Sequence, residues 1–200
     1  MIEEDLSHCL QIMEDWGVQN NEDDRKTNFI YKCNTLNEVL YCVNKYKAPL
    51  QYALHRWFNY ITSKNTEYTF CEFGAIKEPN IYNHDIDIYI NSIPFDVKLT
   101  TYPKALNHRP YDLTTREGKN EMIWWFYTNQ SKGKRKQYIN RLYVVVDGPN
   151  PLQLKADTYK IRTQVQKYMK YTNQYGLNIV EIPTDNNTTL VYSDLIFIKE

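Results

Sequence analysis

Residues 85–100 constrain the fold of this chain more than any other stretch. Asp85-Ile86-Asp87-Ile88-Tyr89-Ile90 alternates strictly, with Ile86, Ile88 and Ile90 on one side and Asp85, Asp87 and Tyr89 on the other. After Asn91-Ser92 the alternation resumes, with Phe95, Val97 and Leu99 set against Asp96, Lys98 and Thr100. A period of two marks a strand with one buried face, and two such runs around a short polar pair read as a hairpin. A symmetric turn at Asn91-Ser92 pairs residues whose numbers sum to 183, which sets Asp87 opposite Asp96 and Asp85 opposite Lys98. Cross-strand Cβ atoms lie about 5 Å apart. Facing carboxylates repel, so this pairing is expected only where a cation bridges them. On the same reasoning, removing Asp96 should relieve repulsion and leave the fold almost unharmed.

The flanking sequence predicts helices on both sides of the hairpin. Residues 1–16 carry Leu6, Cys9, Leu10, Met13 and Trp16 on one stripe, with Gly17 as the stop. Residues 18–28 form a polar, acidic connector. Thr35 caps a helix that runs to about Lys45, and Pro49 opens a stronger one over 48–63. The aromatic texture of 68–75 predicts a strand. A helix over 116–129, a buried strand over 142–146, a helix over 157–171 capped by Asp157, and strands over 177–182 and 190–198 complete the chain. The fold class is therefore α/β in the broad sense, an α+β arrangement around a mixed sheet. The 200 residues suit one domain, 1–200: an N-terminal helical extension (1–47), a core (48–147), and a C-terminal helix and strands (148–200). No apolar run is long enough to span a membrane, and Met-Ile-Glu-Glu-Asp does not open like a signal peptide, so a cytoplasmic location is expected. Cys9, Cys33, Cys42 and Cys71 form no CxxC pair and read as reduced thiols.

The net charge of zero conceals an asymmetry. Residues 1–40 hold nine acidic and three basic side chains, whereas residues 98–170 hold fifteen basic and five acidic ones. The basic half suits an anionic partner. Its densest part, Lys132-Gly133-Lys134-Arg135-Lys136, reads as a loop for phosphate contacts, with Lys104 and Arg109 extending the same surface.

The polar face of the hairpin offers two hard oxygen ligands, Asp87 and Asp96, with an ammonium at Lys98 and the Val97 carbonyl between them. Two carboxylates hold Mg²⁺ with several of its waters, and a lysine beside them can orient or deprotonate a water or neutralise developing charge. That chemistry suits hydrolysis of a phosphodiester.

Asp87, the run Asp96-Val97-Lys98, the apolar alternation around them and the order of elements together resemble the PD-(D/E)XK nuclease superfamily, the fold of many restriction endonucleases. Here Asn83-His84 stands before Asp85 where the motif is named for a proline. The resemblance implies a restriction endonuclease-like αβββαβ core and a Mg²⁺-dependent DNA endonuclease, with Mn²⁺ as substitute metal. Asp87, Asp96 and Lys98 would be catalytic, and Asp87, Asp96 and Val97 would hold the metal, with Asp85 as the alternative to Asp87. Relatives often add a carboxylate or glutamine from the first core helix, for which Gln51 is the match here, with Glu38 on the preceding helix as the other candidate. The implied partner is DNA, with RNA as the alternative and no membrane; a homodimer is allowed. Two rivals remain: a nuclease-fold DNA-binding module without catalysis, and a protein-interaction domain built on the 18 tyrosines and the acidic N-terminal segment. No P-loop, nucleophile-elbow or zincin motif occurs, so those chemistries have no support.

Overall fold

The hairpin forms in the predicted register. In the computed structural model, which describes residues 2–129, 139–183 and 187–200, Ile88 lies opposite Phe95, Tyr89 opposite Pro94, and Ile90 opposite Ile93. Asn91 and Ser92 both take positive φ, 50° and 67°, as a two-residue turn between right-twisted strands requires. The strands are β1 (Ile76–Lys77), β2 (Ile88–Ile90), β3 (Ile93–Thr101), β4 (Arg141–Asp147), β5 (Ile179–Pro183) and β6 (Thr188–Lys199). They form one sheet in the order β1-β2-β3-β4-β6-β5. β1, β2 and β3 run antiparallel in sequence, β4 and β6 join β3 in parallel, and β5 closes antiparallel on β6. The helices are α1 (Ile2–Ile12), α2 (Asn21–Lys26), α3 (Leu36–Tyr46), α4 (Leu50–Glu72), α5 (Arg116–Asn129), α6 (Pro151–Ala156) and α7 (Thr158–Tyr175). The architecture is mixed α/β.

Alternation along the central strands divides the core into two layers. Phe95, Val97, Leu99, Leu142, Val144, Val146, Ile196 and Ile198 face α4 and α7, meeting Phe70 from the first and Ile161, Val165 and Met169 from the second. Tyr143, Val145 and Leu195 face the other way, under Met122, Ile123 and Phe126 of α5. A third cluster, around Leu6, Val39, Leu54, Trp57 and Phe58, seats α1 and α3 against α4. Each large apolar side chain fully buried this way contributes about 1.5–3 kcal/mol before entropy is counted. The cap on α3 is the predicted one: Thr35 and Glu38 form a reciprocal capping box.

Four expectations need correction. The helix predicted over 48–63 continues to Glu72, so no strand forms over 68–75 and β1 is reduced to Ile76–Lys77. Leu54, Phe58, Thr62, Thr66 and Phe70 form one buried stripe at i,i+4 spacing, and the buried threonines return their hydroxyls to the helix itself. Thr62 donates to the Phe58 carbonyl at 2.8 Å and Thr66 to that of Thr62 at 2.9 Å. The strand predicted over 85–90 is regular only from Ile88. The first helix stops at Ile12, short of Trp16, which stacks on His55 of α4.

Candidate active site

The ladder between β2 and β3 opens at Asp87. The Asp87 N–H still donates to the Phe95 carbonyl at 2.8 Å, but its side chain replaces the next rung: Oδ2 accepts the Val97 N–H at 2.8 Å. Asp96 donates its N–H toward β4, to the Asn140 carbonyl at 3.0 Å, so Val97 presents both its N–H and its carbonyl on the β2 side. The Val97 carbonyl therefore lies on the same edge as Asp87.

Asp96 is 4% exposed and stands between two cations. Lys98 Nζ lies 2.5 Å from Oδ1, and Arg141 Nε lies 3.1 Å from Oδ2. Arg141 opens β4 directly beside Asp96 in the parallel register and is itself buried, with its guanidinium over the Tyr127 ring. Lys98 is about half exposed. Burial raises the Asp96 carboxyl above the ordinary carboxylate range despite the pull of Lys98, and the neighbouring Asp87 adds to the rise. Burial likewise raises Asp87, and the Glu67 carboxylate reinforces it. Two desolvated carboxylates thus sit within electrostatic reach of each other on the polar side of the hairpin, beside Lys98.

Glu67 and Lys77 complete the surroundings. Glu67 projects from the extension of α4 and pairs with Lys77 of β1; the Glu67 charge acts on Asp87, and the Asp87 charge acts on Lys77. The sequence reading missed three residues here: Glu67, Lys77 and Arg141. The buried stripe of α4 carries the signal for Glu67, because continuing that helix past residue 63 brings its last turns to β1 and β2. A lone arginine opening the apolar run 142–146 is the signal for Arg141.

The other sequence-derived candidates fall elsewhere. Asp85 is exposed and precedes β2, with its N–H bonded to Asn83 Oδ1 at 3.1 Å; Lys98 pairs with Asp96 instead. Gln51 ties the end of α1 to α4, donating to the Ile12 carbonyl and accepting the Glu14 N–H. Glu38 is spent on the α3 capping box. Neither Gln51 nor Glu38 serves the site, because both belong to the N-terminal helical layer. Arg109 forms a two-pronged ion pair with buried Asp147 at the far end of β4, and its guanidinium covers Tyr102. That end lies six residues along the strand from Arg141, about 20 Å away. Lys104 is exposed just past β3, at the same far end. Lys132, Lys134, Arg135 and Lys136 lie outside the described residues.

Among the described residues, no group of three or more His, Cys, Asp or Glu side chains is placed to hold a metal ion, and no helix is long and apolar enough to cross a membrane. The donor set still fits a hard divalent cation. Buried Asp96 and half-buried Asp87 lie within electrostatic reach of each other, a backbone carbonyl lies on their edge, and Mg²⁺ commonly binds through one or two carboxylates while keeping its waters. Comparison of the chain with protein-family models, with curated proteins and with solved structures finds no match in any of the three.

Proposed function

We propose that the chain is a metal-dependent phosphodiesterase that cleaves DNA, in the manner of restriction endonuclease-like nucleases. The observation that carries this reading is the pair of neighbouring carboxylates, half-buried Asp87 and buried Asp96, held on one hairpin beside Lys98. The order α4-β1-β2-β3-α5-β4 supports it, being helix, three strands, helix and strand. Asp87, Asp96 and the Val97 carbonyl would hold Mg²⁺, with Glu67 as a further carboxylate at its margin. Bound there, the cation would lower the pKa of a water and polarise the scissile phosphate.

The chain's own residues account for the rest. Arg141 fixes the Asp96 carboxylate from below through Oδ2. The Val97 N–H fixes Asp87. Lys98 is the exposed partner of Asp96, so it can release Oδ1 and turn its ammonium to a phosphate oxygen. Glu67 keeps Lys77 beside the cluster and offsets its charge.

Incubation with supercoiled plasmid in Mg²⁺ or Mn²⁺, with an EDTA control, tests the proposal. Nicked and linear products that need the metal and vanish in Asp87→Asn support it; intact plasmid under all conditions refutes it. A second reading has its own observation. Both Asp96 oxygens already face cations, and no third carboxylate joins the pair closely enough to make a three-ligand site among the described residues. This arrangement also suits a DNA-binding module of the same fold without catalysis, which would bind DNA in a salt-dependent way and leave it uncut.

A further inference from the structure

A groove of about 620 Å³ runs along the free edge of β6, between the start of α5 and the side of α7. It exists because β5 pairs only with residues 188–192 of β6. Beyond them, the edge facing away from β4 has no neighbouring strand among the described residues. Arg116, Lys119 and Lys167 line the groove, and Asp194 is the only carboxylate among its lining residues. Asp194 is already balanced: its Oδ1 accepts Arg116 at 2.7 Å and the Leu195 N–H at 2.8 Å. Lys119 and Lys167 pair with no carboxylate among the described residues, so the groove keeps an excess of two positive charges. Thr115 accepts the Gly118 N–H at 3.1 Å at the start of α5, and Thr114, Thr115 and Arg116 at that positive helix end line the same space.

Tyr168 also lines the groove, but its hydroxyl is sealed from the surface and adds no donor there. The volume falls within the range of small-ligand sites. An added peptide strand fits less well, because Asp194 already occupies the Leu195 N–H on the exposed edge.

We propose that this groove binds a phosphate-bearing ligand of nucleotide size, gripped by Lys119, Lys167 and the free donors of Arg116. The inference does not rest on the nuclease reading. Titration calorimetry on the whole chain tests it with three probes: inorganic phosphate, adenosine 5′-monophosphate and a short single-stranded oligonucleotide. Saturable binding is expected for at least one. A preference for the monophosphate identifies a free nucleotide, and a preference for the oligonucleotide identifies a nucleic-acid phosphate. Lys119→Ala and Lys167→Ala should each weaken binding about tenfold, as befits loss of one charge-assisted contact. Asp87→Asn should leave binding intact. Failure of all three probes to bind, unchanged affinity in the lysine variants, or loss of binding in Asp87→Asn would each overturn the proposal.

Discussion

Asp96 touches two cations of opposite character, Lys98 at the surface and Arg141 in the interior. The repulsion argument drawn from the hairpin alone treats the residue as paired only with Asp87, and so it expects Asp96→Ala to leave the fold almost unharmed. The buried guanidinium reverses that expectation. Removing the carboxylate takes from Arg141 the charge that opposes it in a dry environment, which destabilises by roughly 3–5 kcal/mol when one partner of a buried pair is deleted. Asp96→Asn keeps an acceptor in the same shape and should lose distinctly less. Urea unfolding of the two variants should therefore separate them, whereas metal-dependent cleavage should vanish in both. Equal midpoints for the two would show that Arg141 does not depend on Asp96. Lys155 offers an independent test of burial. It is 6% exposed, its ammonium donates to the Asn59 side-chain oxygen at 2.7 Å, and burial lowers its pKa to about 8. The folded state thus holds this proton less tightly than the unfolded chain. The penalty is fully present below pH 8 and fades as pH rises toward the ordinary lysine value. Lys155→Met should accordingly stabilise the protein at pH 7, by an amount on the order of 3 kcal/mol before repacking, and by much less near pH 10. A gain that stays constant with pH would mean that the ammonium is not what destabilises the wild type.

Among the elements, the hairpin was the most legible and α4 the least. The β2–β3 register depends on a two-residue turn and local alternation, so the sequence alone dictates it. The helices at 36–46, 116–129 and 158–175 likewise announce themselves through caps and apolar stripes. Residues 68–75 misled because Tyr68, Phe70 and Phe73 have strand-like composition, while the helical stripe that claims them passes through threonines at 62 and 66. These look polar in sequence but are buried. The longer helix matters to the site, because it carries Glu67 to β1 and β2, whereas the helix-borne candidates Glu38 and Gln51 lie elsewhere. Both of those serve the N-terminal layer. If the extended α4 matters to the site, Glu67→Gln should lower apparent Mg²⁺ affinity in the cleavage assay by about 10–100-fold, as loss of a supporting carboxylate does at metal centres. Circular dichroism should show the helix intact. Cleavage at unchanged metal concentration would confine Glu67 to its ion pair with Lys77.

At the scale of the whole molecule, the fold distributes charge in a way that the linear sequence only half discloses. Several acidic residues of the first forty serve local structure: Asp24 receives Arg56 and Tyr52, Glu22 pairs with Lys26, and Glu38 caps α3. The basic half is also partly consumed, by Arg109 on Asp147, Arg116 on Asp194 and Arg141 on Asp96. Which cations remain for a polyanion depends on which carboxylates the parallel strands β3, β4 and β6 bring beside them, and no local pattern reveals that. The cations of Lys132, Lys134, Arg135 and Lys136 can be tested directly by their effect on binding. If they touch phosphates, replacing all four with Ala removes up to four counterion-releasing contacts, and each should take about 0.9 from the slope of log affinity against log salt on duplex DNA. Affinity should fall alike for every sequence tried, and the cleavage rate at saturating DNA should change little, because contacts made equally in ground and transition states act on binding. Asp96→Asn should do the reverse, leaving the salt slope intact and abolishing turnover. An unchanged slope in the fourfold variant would move the phosphate contacts to cations elsewhere in residues 98–170, with Lys119 and Lys167 the next to replace.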